Sequence, residues 1–440
     1  MSDLLKELEW RGFVQDATPR IDAHLAKGPV TLYCGFDLTA PSLQLGNLLP
    51  LMLLRHFQRH GHKPIVLMGG GTSLIGDPSG KRSERPLLSK EQIKEHLQRQ
   101  RDQMARFLDF GPGASAALLL DNAKWLVEQR LTDFLRDVGK HFTVNVMLQK
   151  ESVQGRMEAG ISYTEFSYML LQAFDFLHLF RTQHCTLQVG GSDQWGNITA
   201  GADLIRKVES GEAHGLVAPL VTTAAGKKFG KTEEGAIWLD PAQTSPYKFY
   251  QFWMNVDDRD VDKYLKLFTL QTRHALEELM AKHIQQPSAR EAQRVLAQDV
   301  TRLVHGEVNL DRVVKASRIL FEELDISSVD RFVLDTLAGE IPTTVLNNFE
   351  SVTNIPTVSL QELWRKPVIH FVELSGLVKS KSEARRAIQQ GGIYMNQQRV
   401  TDLERTVTPS DWLADRDLLL RKGKKDYALV QLWSSQPSTR

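Results

Sequence analysis

At 440 residues, 42% hydrophobic and 24% charged, the chain is too long for a single core and too apolar for a disordered polymer, so several globular domains are expected. A formal charge of +1 leaves any nucleic-acid surface to local clusters of cations. The only cysteines, Cys34 and Cys185, exclude a disulfide framework or cysteine-rich zinc site and suit a reducing compartment, the cytoplasm. The start, "MSDLLKELEWRG", is amphipathic and mixed in charge, unlike a signal or transit peptide. No apolar run reaches the roughly 18 residues of a membrane span, so no membrane partner is expected.

From about residue 29 to 222, "PVTLYCGFD", "KPIVLMGG", "ASAALLLD", "HCTLQVGGSD" and "GLVAPLV" read as buried strands. The segments between them carry apolar residues at helical period, which predicts a parallel α/β sheet. Leu48, Leu51, Met52, Leu54 and Phe57 form the sheet-facing stripe of the first crossover helix, and Gly61 ends it. Such sheets bind ligands beyond the carboxyl ends of their strands, so the loops after Gly35, Gly69 and Gly190 are where chemistry is sought.

Residues 246–326 change to helix after helix; in "PSAREAQRVLAQDVTRLVHG", Ser288 and Glu291 predict a capping box behind Pro287 and Gly306 a terminator. Residues 327–355, with "IPTT" and "TNIPT", have the profile of a linker. A third domain starts near 356. Its "LVKSKSEARRAIQQGGIYMNQQRVTD" predicts a helix capped by Ser380 and Glu383, bearing Lys381, Arg385 and Arg386, then a hairpin around Asn396 and Gln397. "RKGKKDY" adds Arg421, Lys422, Lys424 and Lys425. Cations gathered at a helix start and a turn suit a phosphate backbone, although a solvated charged face is the alternative.

Four stretches carry candidate chemistry. In "YCGFDLTAPSLQLGN", Gly35 and Gly46 remove side chains where a nucleotide could approach, and the helix start supplies a positive dipole. "MGGGTSLIGDPSGKRSER" is a polar loop with Asp77, Lys81, Arg82 and Arg85, and "LQVGGSDQWGN" puts Asp193, Gln194 and Trp195 beyond a strand, where a carboxylate can meet ribose hydroxyls. "AAGKKFGKTEEGAIW" clusters Lys227, Lys228 and Lys231 among glycines, suited to neutralising a polyphosphate. In "FSYMLLQAFD", Tyr168, Gln172 and Asp175 share one helical face amid Leu170, Leu171 and Phe174, which argues for a lined pocket over plain core.

Taken in order, these stretches resemble the bacterial-type tyrosyl-tRNA synthetases, class I aminoacyl-tRNA synthetases, over nearly the whole chain. "YCGFDLTAPSLQLGNLLPL" is similar to their HIGH region, "GGSDQWGNI" to their ribose- and substrate-binding strand end, "KFGKT" to their KMSKS loop and "SPYKFYQFW" to the start of their helical domain. The resemblance implies a Rossmann-like catalytic domain over 1–222, a KMSKS-like loop and connector over 223–245, an α-helical anticodon-binding-type domain over 246–326, the linker, and an S4-like α+β RNA-binding domain over 356–434. It implies activation of L-tyrosine by ATP, with Mg2+, followed by transfer to tRNA(Tyr), in a homodimer without a protein-bound metal or organic cofactor. By the same resemblance, Tyr33 and Asp175 bind the tyrosine hydroxyl and Asp77, Tyr168 and Gln172 its ammonium, while Gln194 also contacts the tyrosine. Cys34, Gly35, Asp37, Gly46, Gly190, Gly191, Asp193 and Lys231 fall to ATP; Thr39, Gln44, Asn47, Lys81, Arg85, Lys228 and Lys231 to catalysis; and Lys381, Arg385, Arg386, Lys424 and Lys425 to RNA.

The chain departs from the family where Gln44 and Asn47 replace the two HIGH histidines. Each retains an amide donor, but Gln44 loses the option of a positive charge. "KFGKT" also lacks the Met and Ser of KMSKS while keeping both lysines, Lys228 and Lys231. A catalytically weak or inactive paralogue that binds RNA or tyrosine is the alternative, against which stands retention of the five pocket residues. Apolar segments near "FLRDVGKHFTVNVMLQKE" are the candidate for a dimer interface, with a buried surface within the chain equally compatible.

Overall fold

The computed structural model describes residues 2–79, 88–157, 160–227, 229–232, 235–321, 326, 329–346, 363, 366–423 and 425–432. Lys81, Arg85, Lys228 and Lys424, named above, lie outside the described residues. Two compact units are present: Met1–Ser245 with Phe252–Val304, and Pro246–Gln251 with His305–Arg440.

The first unit is built on six strands, β1 (Asp16–Ala17), β2 (Thr31–Phe36), β3 (Lys63–Met68), β4 (Leu118–Asp121), β5 (Cys185–Gly191) and β6 (His214–Ala218), in the order β1-β6-β5-β2-β3-β4. All neighbours are parallel except the short β1, which runs antiparallel on β6. β2 to β5 fall inside their apolar runs and β6 begins one residue before its own, at His214; β1 is too short to leave a periodic signal. The Leu48–Arg59 helix buries Leu48, Leu51, Met52, Leu54 and Phe57, and Gly61, at φ 84, turns the chain back toward β3. The Tyr163–Gln183 helix packs on Trp195–Glu209 across Gly201, where a Cβ would lie 3.0 Å from the Phe176 ring. From β2 the sheet grows outward through β3 and β4, and then the chain crosses back to add β5 and β6 on the other side of β2. The reversal point is therefore the crevice between β2 and β5, the place where an open parallel sheet offers a ligand site.

Helix starts in this unit are not all where the pattern places them. The helix beginning at Glu291 follows a 3-10 turn over Pro287–Ala289 with Arg290 in the left-handed region (φ 52), so its start lies beyond Ser288. Gly306, at φ 82, interrupts the Glu291–Phe321 helix as the terminator reading expects.

The second unit holds a five-stranded sheet of β9 (Thr343–Leu346), β10 (Ile393–Met395), β11 (Gln398–Arg399), β12 (Asp417–Lys422) and β13 (Asp426–Leu432), ordered β11-β10-β12-β13-β9. β9 and the helix Arg331–Ala338 lie in the stretch read as a linker; β9 pairs in parallel with β13 and so belongs to this sheet. Residues 246–326, read as one helical domain, are likewise shared between the two units. The predicted hairpin forms around Asn396 and Gln397, at φ 48 and 70. Ser380 accepts from the Glu383 N–H at 3.2 Å, while the Glu383 carboxylate takes the Lys379 N–H instead of completing a box.

Candidate active site

The carboxyl ends of β2 and β5 bring the predicted nucleotide residues together: Cys34, Gly35 and Asp37 at one, Gly190, Gly191 and Asp193 at the other. Gly35 and Gly46 are exposed, and a Cβ on either would meet nothing within 4 Å, so both offer bare backbone to a ligand. Thr39 is exposed beyond β2. Cys34 is buried, and burial pushes its thiol up to about 12, so it stays protonated and offers at most a weak contact. A side chain at Gly69 would collide with Asp37 Oδ1 and Thr72 Oγ1 at 2.6 Å.

Beneath this crevice the residues of the polar helix face meet others from β2, β5 and the loop after β3. The Tyr168 hydroxyl donates to both Asp37 oxygens at 3.2 and 3.1 Å, and Thr72 Oγ1 donates to Asp37 Oδ1 at 3.1 Å. Gln194 Nε2 donates to Asp77 Oδ2 at 2.7 Å, and Gln172 Nε2 to Gln194 Oε1 at 3.2 Å. Asn197 Nδ2 donates to Gln172 Oε1 at 2.9 Å. Asp77, Tyr168, Gln172 and Gln194, with Asp37, thus line a polar patch, largely withdrawn from solvent, that holds two carboxylates. Burial, then the charges of Asp37 and Asp77, hold the Tyr168 phenol well above its ordinary range, so it acts only as a neutral donor or acceptor.

Deeper in, Tyr33 is 1% exposed and its hydroxyl has no hydrogen-bond partner among the described residues. Its register partner on β5 is Gln188, 2% exposed, whose Oε1 is equally unpartnered. Side chains of register partners on parallel strands share a face. Asp175, 2% exposed, accepts from Asn122 Nδ2 at 2.9 Å and from Trp125 Nε1 at 2.7 Å. Burial raises its carboxyl to about 7 despite those two donors, which favour the charged form. Burial and the Asp175 charge hold the Tyr33 phenol well above its usual value. Orphaned buried polar groups beside a carboxylate cost free energy unless something polar completes them. Asn122, Trp125, Gln188 and Asn197 escaped the sequence reading. The available signals were "DNAKW" directly after β4 and the Asn that closes "DQWGN".

The Gln44 turn is tied to the lysine-bearing hairpin β7 (Lys231–Thr232) and β8 (Gly235–Ala236). Leu45 N–H donates to Ile237 O at 2.9 Å, Leu239 N–H to Leu43 O at 2.9 Å, and Gln44 bridges Trp238. Gly230 sits at φ 75, and a Cβ there would lie 2.9 Å from Leu45. Phe229, standing where KMSKS has Met, stacks on Phe268 at 5.1 Å and meets Tyr264 at 4.9 Å, which anchors the hairpin. Lys231 is exposed at the hairpin start. Asn47 Oδ1 accepts the Gln44 backbone N–H at 2.8 Å, so the amide expected to face a ligand through its donor already caps its own turn through its oxygen. Only its Nδ2 can donate outward.

In the second unit Lys381, Arg385, Arg386 and Lys425 are exposed. Arg421 and Lys422, from the same basic run, are committed internally: the Arg421 guanidinium lies 4.0 Å over the Tyr394 ring, and Lys422 pairs with Glu383 at 2.8 Å.

At its reversal point the parallel sheet thus presents exposed backbone at Gly35 and Gly46, with the hairpin that bears Lys231 laced to its first loop. Residues 25–322 match the family described as tRNA synthetases class I (W and Y), and residues 348–430 match the SYY-like C-terminal domain of tyrosine–tRNA ligase. The chain is 52% identical to a tyrosine–tRNA ligase of Roseiflexus castenholzii, covering 98% of this chain and 100% of that one, and 51% identical, at the same coverage, to one of Anaeromyxobacter dehalogenans. The crystal structure of a C-terminally truncated mitochondrial tyrosyl-tRNA synthetase from Aspergillus nidulans is similar at a TM-score of 0.66 with 31% identity, over 73% of this chain and 95% of that one. The chain belongs to the tyrosyl-tRNA synthetases.

Proposed function

We propose that the pocket under the β2–β5 crevice takes L-tyrosine with its ring hydroxyl between Tyr33 and Asp175 and its ammonium among Asp77, Tyr168 and Gln172. The reaction is tyrosine–tRNA ligation: the tyrosine carboxylate attacks the α-phosphate of ATP and pyrophosphate leaves, and a hydroxyl at the 3′ end of tRNA(Tyr) then takes the tyrosyl group from the adenylate, releasing AMP. The observation that carries the pocket assignment is the buried, unpartnered Tyr33 hydroxyl beside Asp175. A phenol donating to Asp175 and accepting from Tyr33 satisfies both at once. The relatives reported above lend no support to the inactive-paralogue alternative. Tyrosine-dependent ATP–pyrophosphate exchange by the purified protein tests the assignment; exchange driven by tryptophan instead would overturn it.

Neither step needs a side-chain nucleophile, so the site works by holding the reactants and meeting charge as it develops. In this reading Gly190, Gly191 and Asp193 receive the ribose, with Cys34 at its edge, Gly35, Asp37 and Gly46 border the nucleotide, and Gln194 orients the tyrosine. Thr39 and Gln44 face the outer phosphates, Asn47 Nδ2 the ribose side and Lys231 the departing pyrophosphate, a role the family resemblance also gives Lys81, Arg85 and Lys228. Mg2+ enters as the phosphate-bound counterion of ATP.

Gln44 supplies a neutral donor where a histidine could carry charge. A charge-assisted bond exceeds a neutral one by about 1–2 kcal/mol. Gln44→His is therefore expected to raise the exchange rate roughly tenfold at pH near 6, where the imidazole is largely charged, with less gain at pH 8. A uniform loss at both pH values would show that Gln44 does not face the phosphates.

The exposed Lys381, Arg385, Arg386 and Lys425, with Lys424, fit a tRNA backbone, as an S4-like domain would use them. No helix among the described residues is long and apolar enough to cross a membrane, and we place the protein in the cytoplasm. We also assign it a homodimeric state, for which Leu131, Leu135, Val144 and Val146 supply the motive: they are 72%, 43%, 58% and 54% exposed. Leu131→Asp is expected to shift sedimentation toward the monomer; an unchanged coefficient would place the interface elsewhere.

A further inference from the structure

The Lys90–Met104 helix takes part in no step above, yet between the buried Ile93 and Met104 its inner face carries polar side chains that hold main chain. His96 Nδ1 lies 2.8 Å from Leu38 O, and because a carbonyl can only accept, that nitrogen carries the proton. One turn on, Gln100 Nε2 donates to Ala40 O at 2.7 Å. A further turn on, Gln103 Oε1 accepts the Leu43 N–H at 2.9 Å and its Nε2 donates to Ser42 Oγ at 3.0 Å. Positions 96, 100 and 103 fall on one helical face, and the three contacts advance along helix and loop together, from residue 38 to residue 43. His96 and Gln100 are 9% and 2% exposed in a helix whose remaining surface is mostly charged.

The loop held in this way carries Thr39 and delivers Gln44, and it has no regular secondary structure to fix it. Its opposite side is held as well: Leu38 N–H donates to Ser73 Oγ at 2.7 Å, and Leu43 O accepts from Leu239 N–H at 2.9 Å. A buried amide satisfies a buried carbonyl without filling space that leucine would not fill, so core packing alone does not call for three polar residues here.

We propose that His96, Gln100 and Gln103 are positioning residues for the ATP triphosphate, fixing the Leu38–Leu43 main chain so that Thr39 and Gln44 meet the phosphates at the reacting distance. With a neutral amide at position 44, the strength of that contact depends on orientation, because a directional hydrogen bond loses more on misplacement than a point charge does. The inference rests on Thr39 and Gln44 facing ATP.

The test is tyrosine-dependent ATP–pyrophosphate exchange with the full chain carrying His96→Leu, His96→Asn, Gln100→Leu or Gln103→Leu, together with thermal melting. His96→Leu and Gln100→Leu are expected to lower kcat or raise KM for ATP by about tenfold, leaving KM for tyrosine within about twofold. His96→Asn, whose Nδ2 occupies the place of Nδ1, restores most of the loss. Equal changes in both KM values, or a loss that Asn does not rescue and that follows the melting temperature, would overturn the proposal. If Gln103→Leu alone proves inert, Gln103 is struck from the set. An unaltered protein without exchange activity would count against the reading of the site itself and not against this helix.

Discussion

Asp175→Asn is expected to lower kcat/KM for tyrosine about a thousandfold while leaving KM for ATP within about threefold. The Asp175 carboxylate already accepts from Asn122 and Trp125, and in the proposed complex it accepts the substrate hydroxyl as well. An asparagine has one acceptor oxygen for these donors and turns its own NH2 toward another, so one buried donor is left unmet and a charged bond becomes a neutral one. Together those losses come to about 4 kcal/mol, which is about three decades. Similar losses for both substrates in the exchange assay would show that the pocket has been placed wrongly. The wild-type protein should show the same contact through pH. With the Asp175 carboxyl raised to about 7, the ionised acceptor is the dominant form only above that value. KM for tyrosine should therefore climb as pH falls below 7, approaching tenfold per unit, and level off above it. A flat KM between pH 5.5 and 8 would remove Asp175 from hydroxyl recognition.

Lys231→Ala is expected to cut the rate of adenylate formation about a hundredfold with KM for ATP changed less than about threefold. Lys231 is exposed, so its ammonium is hydrated in the resting enzyme and gains most when negative charge builds on the leaving pyrophosphate. An interaction made mainly in the transition state appears in kcat. Single-turnover adenylate formation measures it, and a rise in KM with kcat unchanged would assign Lys231 to ground-state ATP binding. Melting should not move, because the side chain buries nothing.

Much of the catalytic unit could be read from the residues. The strands β2 to β6 are largely apolar, as strands covered on both faces tend to be. The glycines at 35, 190 and 191 mark the carboxyl ends of β2 and β5, where an open parallel sheet offers its ligand site. Tyr168, Gln172 and Asp175 share a face by helical period alone. The second unit was less legible. "TTVL" at Thr343–Leu346 is only four residues long and becomes a strand by pairing with β13, more than eighty residues later; local pattern carries no such information. A linker reading followed from the same lack of period.

The family motifs, the alternation of strand and helix, and the exchange of both HIGH histidines for amides were determined by the sequence by itself, since each depends on residue identity and short spacing. Tertiary structure decided how those residues are used. Asn47 turns its oxygen onto the Gln44 backbone, and Tyr168 turns onto Asp37. Asn122 and Trp125 reach Asp175 from some fifty residues away, and His96, Gln100 and Gln103 grip a loop about sixty residues upstream. Which partner a polar side chain finds is settled by the need to satisfy every buried donor and acceptor at once, a condition imposed by the packed chain as a whole that no window of sequence contains.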